Sequence, residues 1–432
     1  STAWHLLERG HEVVVVDRQP DAALETSFAN AAQISVSYCE PWANRDAPLK
    51  ALKWMFDKEA PLLFRPQLDW DQWRWGLKFL AQCNDTAFER NVQQIVALGA
   101  YSHAALKDLV ASTGIEYNRL ERGIAHFYTD QKSFDAAGHA VELMRKFGVQ
   151  RRLVSRDELL KIEPAFKAYG DKITGGTYTS TDESGDARVF TQELARRCAA
   201  RGAQFLYGHD VLRLNKIGDA IDSVAVIARN TGAGGQKDFI LKGDAFVVAC
   251  GSYSAPLLRT VGVDLPIYPG KGYSATFPLL KPEGAPMVST IDDGKKIAMS
   301  RLGNVLRVAG TIELGGFDMS LDSPVARARC HMLSRRIAEI LPGVCDTRTP
   351  EEGGNPQYWT GLRPATPTNI PFIGQTRVGK LWVNAGHGTL GWTHGAGSGK
   401  AMAELLSGEV PAMNFGFLGV QAPRAVRGAV AA

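Results

Sequence analysis

The sequence contains no C-x-x-C pair. Its cysteines, Cys39, Cys83, Cys198, Cys250, Cys330 and Cys345, are scattered along the chain. That spacing argues against a zinc knot or a disulfide framework and fits a reducing compartment. No run of about 18 apolar residues occurs, so no transmembrane helix is expected. The net charge of +4 comes without a long Lys/Arg run, which argues against nucleic acid as a partner. There is no nucleophile elbow, no H-E-x-x-H and no paired metal spacing, so serine hydrolase and zinc hydrolase chemistry are not indicated. No signal peptide, internal repeat or low-complexity linker stands out, and the first residue is Ser1, not Met.

What is present is an ordinary globular composition. Hydrophobic residues make up 45% and charged residues 22% of 432, enough for two domains or one large interleaved body. The 44 glycines suit many tight turns and close backbone approaches. Periodicity predicts helices over 84–112, 135–147, 157–162 and 325–341, and alternating strands over 261–312. Residues 186–214 read as helix, glycine stop, strand. Residues 221–251 read as a hairpin and then a buried strand, with "TGAGGQK" (231–237) as the hairpin turn. The tail after Pro411 is expected to be poorly ordered.

The stretch "ERGHEVVVVDRQ" (Glu8 to Gln19) predicts a helix end capped at Gly10 and a buried strand ending in Asp17 and Arg18. A dinucleotide-binding βαβ unit ends its second strand with such an acid, placed on a ribose hydroxyl. The glycine-rich phosphate turn of that unit lies about 20 residues before the acid, and the sequence begins after that point.

Other glycine-rich stretches compete for the phosphate role. "GAGSGKA" (395–401) resembles a Walker loop, but His394 and Ala401 stand where Gly and Ser/Thr belong. "GHGTLGW" (Gly386 to Trp392) follows a strand and opens a helix, whose N-terminus carries about half a positive charge and free N–H donors. The plain alternative is a tight strand-to-helix turn. "FVVACGSYS" (246–254) ends a buried strand in Ala249 and Gly251, small residues that allow either a planar ligand or a helix to approach. "YWTGLRPATPTNIPFIG" (358–374) holds Arg363 in what reads as a stiff loop, suited to gripping a carboxylate through two parallel hydrogen bonds or else a surface arginine. His387 has no partner pattern and reads as a packed histidine. Between Tyr38 and Leu80, tryptophans alternate with Lys and Arg. Such a segment suits a membrane interface, or helices that pack their tryptophans inward.

Taken in order, "VVVVDR", "TSFANAAQIS", "TDESGD", "FTQELA", "ACGSYS", "YPGKGYSAT", "SRLGNVLRVAGTIELGGFD", "YWTGLRPATPTNIPFIG" and "GHGTLGWTHGAGSG" resemble the bacterial D-amino acid dehydrogenases, within the flavin-dependent D-amino acid oxidase and glycine oxidase superfamily. The resemblance runs from Ser1 to about Pro411 and implies an α/β fold with an α+β substrate part: a Rossmann-like FAD-binding domain interleaved with an antiparallel-sheet substrate domain. The FAD part is expected over 1–38, 182–258 and 356–411, the substrate part over 39–181 and 259–355, with 412–432 as a tail. By the same resemblance, the G-x-G-x-x-G turn precedes Ser1. Residues 1–432 alone are then expected to bind FAD weakly.

The resemblance also implies site residues. Asp17 matches the ribose-binding acid, with Arg18 beside it. Ser27, Asn30 and Gln33 match a loop along the cofactor, and Val211 a strand residue near the adenine. Gly386, Gly388, Thr389, Leu390 and Gly391 match the loop at the pyrimidine edge of the flavin, and Ala249 and Gly251 the close approach. Ala32 stands where the family usually has glycine; if that position needs positive φ, alanine strains it by roughly 1 kcal/mol. Arg363 is the expected carboxylate anchor and Tyr273 a second polar contact. The implied reaction is oxidative deamination of a D-alanine-like D-amino acid to a 2-oxo acid and ammonia. The Cα hydrogen leaves as hydride to flavin N5, without a protein base if the amine binds neutral. The implied acceptor is a quinone or other respiratory carrier, and the implied place the bacterial cytoplasm, peripheral on the membrane through residues 38–80. Two alternatives remain open at this stage: a flavoenzyme for glycine, sarcosine or proline, or a cofactor-free remnant of the fold.

Overall fold

The structure is a computed structural model that describes residues 1–49, 60–229 and 238–420. From the N-terminus, α1 (Thr2–Glu8) closes at Arg9 and Gly10, whose φ of +81° takes the left-handed conformation that ends a helix. Next come β1 (Val14–Asp17), β2 (Gln33–Ile34), β3 (Leu62–Phe64), α2 (Trp70–Ala81) and α3 (Asp85–Thr113). The long α3 is set by its ends: the Asn84 side chain accepts from the Ala87 N–H, and Gly114 sits at φ +63°. Strand β4 (Ile124–Tyr128), α4 (Gln131–Lys146), β5 (Arg152–Ser155), α5 (Arg156–Ile162), β6 (Gly175–Thr179) and β7 (Glu183–Ser184) follow.

Helix α6 (Ala187–Ala200), capped by Asp186, leads into β8 (Gln204–Tyr207), β9 (His209–Ile217) and β10 (Ala220–Ala228). Then come β11 (Phe239–Lys242), β12 (Phe246–Val248), α7 (Ser254–Arg259), β13 (Tyr268–Pro278), β14 (Ser289–Asp292), β15 (Ile297–Leu302) and β16 (Val305–Leu314). The chain continues through α8 (Pro324–Ile340), β17 (Gln357–Ala365), β18 (Phe372–Gln375), β19 (Leu381–Ala385) and α9 (Gly391–Leu406).

Two bodies of sheet result. Small sheets carry the nucleotide-like half: β1 parallel to β8, β12 parallel to β19 with β18 antiparallel beside it, and the meander β9–β10–β11. The other half is a nine-stranded sheet in the order β17–β13–β16–β15–β14–β4–β6–β5, with β3 alongside β16. It is antiparallel except at β14–β4 and β16–β3. One face is covered by α8, whose Cys330, Leu333 and Ile337 pack on Tyr273, Ala275, Phe277, Met299 and Val308 in the largest apolar cluster. The architecture matches the expected α/β body interleaved with a mainly antiparallel sheet.

Several expectations need correction. Strand β1 is not a buried strand: Val14 is 47% exposed, and among the described residues β1 pairs only with β8. Strand β17, assigned by position to the FAD part, pairs with β13 in the large sheet. Helix α3, assigned to the substrate part, packs on α9, where the Gly397 N–H donates to Ser102 Oγ at 2.9 Å. A Cβ on Gly397 would stand 2.5 Å from Ser102 Cα, so the Walker-like "GAGSG" is helix-packing glycine inside α9. The first part of the tail is docked: Phe415 and Phe417 are buried, and the Leu418 N–H donates to the Ile373 carbonyl at 2.8 Å. Two aromatic rings and a backbone bridge outweigh the local composition there. Strands β10 and β11 pair antiparallel as a hairpin requires, while "TGAGGQK" itself (231–237) lies outside the described residues.

Candidate active site

The face of the large sheet turned away from α8, the C-terminal ends of β1 and β12 and the start of α9 enclose a cavity of about 2440 Å³. Sites for drug-sized ligands measure roughly 300–1,000 Å³, so this space suits a long ligand and a small one together. Asp17, Arg18, Ser27, Asn30 and Gln33 line it, as do Val211 on β9 and Ala249 and Gly251 after β12. Gly388, Thr389, Leu390 and Gly391 line it from the start of α9. Gly386 does not. Its φ is +90° and a Cβ there would stand 2.7 Å from Thr366 Cγ2, so it makes the turn and leaves the lining to its neighbours.

Asp17 ends β1 half-buried, with one carboxylate oxygen accepting the Gln19 N–H at 2.9 Å. Burial raises its pKa above the usual carboxylate range, with Glu25 adding to the rise. Arg18 is already matched: its guanidinium pairs with Glu25 at 2.7 Å and lies over the Tyr253 ring at 3.9 Å. Asn30 Oδ1 accepts the Ala32 N–H at 2.9 Å and supports Ala32 at φ +59°. The positive φ suspected at that alanine is therefore real. Gln33 reaches across to β14, donating to Ser289 Oγ at 2.8 Å. Helix α9 has no side-chain cap, and Gly391 and Trp392 in its first turn line the cavity. Its leading N–H donors are thus available to an anionic or electron-rich ligand. His387, beside this turn, contacts Ser398 Oγ at 3.1 Å and is pushed down to about 4 by burial, so it is neutral at pH 7.

Arg363 lies on β17, not in a loop, and faces the cavity. Its Nη1 donates to the Thr311 carbonyl at 2.7 Å. No carboxylate among the described residues forms an ion pair with it, and burial pushes its pKa down to about 10. A guanidinium in that condition is still a cation at neutral pH and is short of a counter-charge.

Tyr273 belongs to the other face of the sheet. Tyr358 and Thr360 on β17 sit opposite Ala275 and Tyr273, and Tyr358 meets Ser334 on α8. Tyr273 packs in the cluster under α8, and its hydroxyl donates to the buried Glu313 at 2.6 Å. Tyr273 and Arg363 both line the cavity, but side chains alternate along a strand, so the Tyr273 hydroxyl, held by Glu313, is directed away from the Arg363 guanidinium.

The sequence reading missed Thr311 and Lys296. Thr311 is buried, lines the cavity and touches Arg363. Lys296 lines it too, held by Asp293 at 2.9 Å and Tyr38 Oη at 3.1 Å. Both are non-glycine residues in left-handed backbone, φ +57° and +53°. Nothing in residue type marks that conformation.

Residues 1–405 match the family of FAD dependent oxidoreductases designated DAO. The chain belongs to the DAO family. A D-amino acid dehydrogenase from Dechloromonas aromatica is 47% identical over 418 residues, 97% of this chain and 96% of the relative. One from Cereibacter sphaeroides is 42% identical over 421 residues, 98% and 92% of the two chains. Among solved structures, glycine oxidase from Geobacillus kaustophilus superposes with a TM-score of 0.69 at 19% identity, covering 96% of this chain and 92% of its own. L-proline dehydrogenase from P. horikoshii does so with 0.62 at 17%, covering 92% and 94%. These two likenesses concern the fold. As a DAO-family protein the chain uses FAD, and the lining fits that group: a carboxylate at the end of β1 with one oxygen unbonded among the described residues, small residues after β12, and a helix start without a side-chain cap among the described residues.

Proposed function

We propose that this DAO-family flavoenzyme oxidatively deaminates D-amino acids of the D-alanine kind to 2-oxo acids and ammonia. The observation that carries the reading is Arg363, a half-buried cation on the cavity wall that forms no ion pair with a carboxylate among the described residues. The names of the relatives at 40–47% identity support the D-amino acid as substrate. Asp17 would hold a ribose hydroxyl, Ser27, Asn30 and Gln33 would line the cofactor, and the N–H donors at the start of α9 would stabilise negative charge on the reduced flavin. FAD, when bound, supplies a two-electron acceptor for the substrate hydride. The chain's part is binding and orientation. Arg363 receives the substrate carboxylate in two parallel hydrogen bonds and is fixed from behind by the Thr311 carbonyl. The amine binds neutral, so its lone pair closes the C=N bond as the Cα–H bond breaks. Water then adds to the imine and ammonia leaves. No side chain is assigned as a base.

We further propose that electrons pass to a quinone or similar respiratory carrier at the cytoplasmic face of the bacterial membrane. Support comes from α2. Trp70, Trp73, Leu77 and Leu80 follow one another at spacings of three, four and three residues, and are 73%, 47%, 64% and 53% exposed. Trp73, Leu77 and Leu80 also line the cavity mouth. The segment is divided: Trp75 is buried, stacks on Phe79 at 5.2 Å and donates to the Ala365 carbonyl, while Trp70 and Trp73 face out. Trp54 and Phe56 lie outside the described residues. No helix among the described residues is long and apolar enough to cross a membrane.

The test is anaerobic bleaching of the flavin band by D-alanine, L-alanine, glycine, sarcosine and L-proline in turn. Rapid bleaching by D-alanine alone is expected. Preference for sarcosine or proline would replace this reading, and a preparation without flavin absorbance would leave only the fold.

A further inference from the structure

Two planar side chains lie over one pair of glycines in the large sheet. Gly272 of β13 and Gly361 of β17 stand opposite each other in the antiparallel ladder. The Arg363 guanidinium covers the first: a Cβ on Gly272 would stand 2.5 Å from Arg363 Cζ, 2.6 Å from Nη1 and 2.7 Å from Nη2. The Trp359 indole covers the second: a Cβ on Gly361 would collide with Cη2, at the far tip of the ring, and stand 2.7 Å from Cζ2 and 2.8 Å from Cζ3. Side chains alternate along a strand, so Trp359 and Arg363 share one face of β17, and both line the cavity. Opposed positions in such a ladder have their Cβ sites about 5 Å apart. The tip of the indole therefore points toward the guanidinium and ends roughly one strand spacing from it.

The indole is held in that place. Phe28 stacks on it, with ring centroids 6.0 Å apart and planes 27° apart, and the Arg188 guanidinium lies over Phe28 at 4.3 Å. Trp359 is nonetheless only half-buried, so part of its apolar surface is open to the cavity. Gripping a carboxylate does not call for this ring, because the Thr311 carbonyl already fixes Arg363. An amino acid held at Arg363 by its carboxylate carries its side chain one bond beyond Cα. A short carbon chain is then long enough to cross the indole. Apolar atoms laid on the ring leave water, which is worth about fourfold in affinity per methylene.

We propose that Trp359 is a specificity-determining residue: its indole is a platform beside Arg363 on which the substrate side chain lies, so that the site selects D-amino acids with apolar side chains over glycine and over polar ones. This rests on the reading of Arg363 as the carboxylate anchor.

The experiment uses the flavin-loaded protein and two series of probes. One is calorimetric binding of acetate, propanoate, butanoate and pentanoate, which share the carboxylate and lengthen the chain. The other is kcat/KM for glycine, D-alanine and D-norvaline. In the wild type both series are expected to rise, affinity by about fourfold per methylene. Trp359→Ala should flatten both, lowering kcat/KM for D-norvaline about 10-fold relative to D-alanine, while acetate affinity holds. Trp359→Phe keeps an aromatic face that stops short of Gly361 and should retain only part of the slope. The proposal is overturned if the alanine variant keeps the slope, or if it weakens acetate as much as pentanoate, since the ring would then serve Arg363 or the flavin instead. If the alanine variant does not fold, a wild-type slope in Trp359→Phe overturns it equally. Arg363→Ala tests the underlying reading separately. Unchanged acetate binding there places the carboxylate site elsewhere, whereas acetate binding that needs Arg363, with a slope that ignores Trp359, removes the platform alone.

Discussion

Gly272 lies directly beneath the guanidinium of Arg363: a Cβ added to it would stand 2.5 Å from Arg363 Cζ, with Nη1 and Nη2 nearly as close. Its φ is not in the left-handed region, so the requirement is for space. Gly272→Ala should push the guanidinium off its seat at roughly 1–3 kcal/mol of overpacking. The outcome to look for is a raised KM for D-alanine with the fold intact by circular dichroism. An unchanged KM would mean the guanidinium has another resting place.

Replacing Arg363 itself should be more severe. Arg363→Ala is expected to lose about 2–4 kcal/mol of transition-state binding. Arg363→Lys should recover little, because an ammonium cannot form the planar fork. Steady-state kcat/KM with D-alanine measures both, and near-normal values in the alanine variant would remove Arg363 from its role.

Ala32, buried at φ +59°, is the clearest strained residue near the cofactor loop. Ala32→Gly should raise stability by about 1 kcal/mol, since glycine adopts that conformation freely. A urea midpoint that fails to rise would show the loop is held without strain.

Asp182 gives a pH prediction. Buried, it accepts the Val36 and Ser37 N–H groups and contacts the Ser37 hydroxyl. Burial outweighs those bonds and raises its pKa from 3.8 to about 6. The folded state therefore holds this proton more tightly than the unfolded chain. Its contribution to stability is present at low pH and is lost as pH rises from about 4 to 6. Asp182→Asn should flatten that part of the stability profile. A variant profile parallel to wild type would show that Asp182 titrates normally.

The exposed stripe on α2 predicts salt-sensitive co-sedimentation with anionic vesicles, reduced when Trp70 and Trp73 are changed to Ser. Trp75 is unsuitable for this test because its loss would open the core under Ala365. Wild-type protein that remains in the supernatant at low salt would refute the membrane contact.

What the sequence by itself determined is local or carried by motif order. Helix α3 announced itself through its apolar period, and the turn into α9 through "GHGTLGW"; the Asn84 cap and the Gly114 stop were seen only in the structure. The order of motifs pointed to the family, and nearly all the motif-matched cofactor residues line one cavity. Tertiary structure decided what depends on partners distant in sequence. Arg363 acquired its meaning from Thr311, 52 residues away, and from the space above Gly272. Tyr273 was lost to the α8 face because a strand sends neighbouring side chains to opposite sides, and only the register with β17 says which side holds the cavity. Strand β17 joined the large sheet because its edge matched β13, and Phe415 and Phe417 docked because apolar surface was waiting for them. Composition reports what a segment prefers alone; pairing and burial, which involve the whole chain at once, decide where each side chain points.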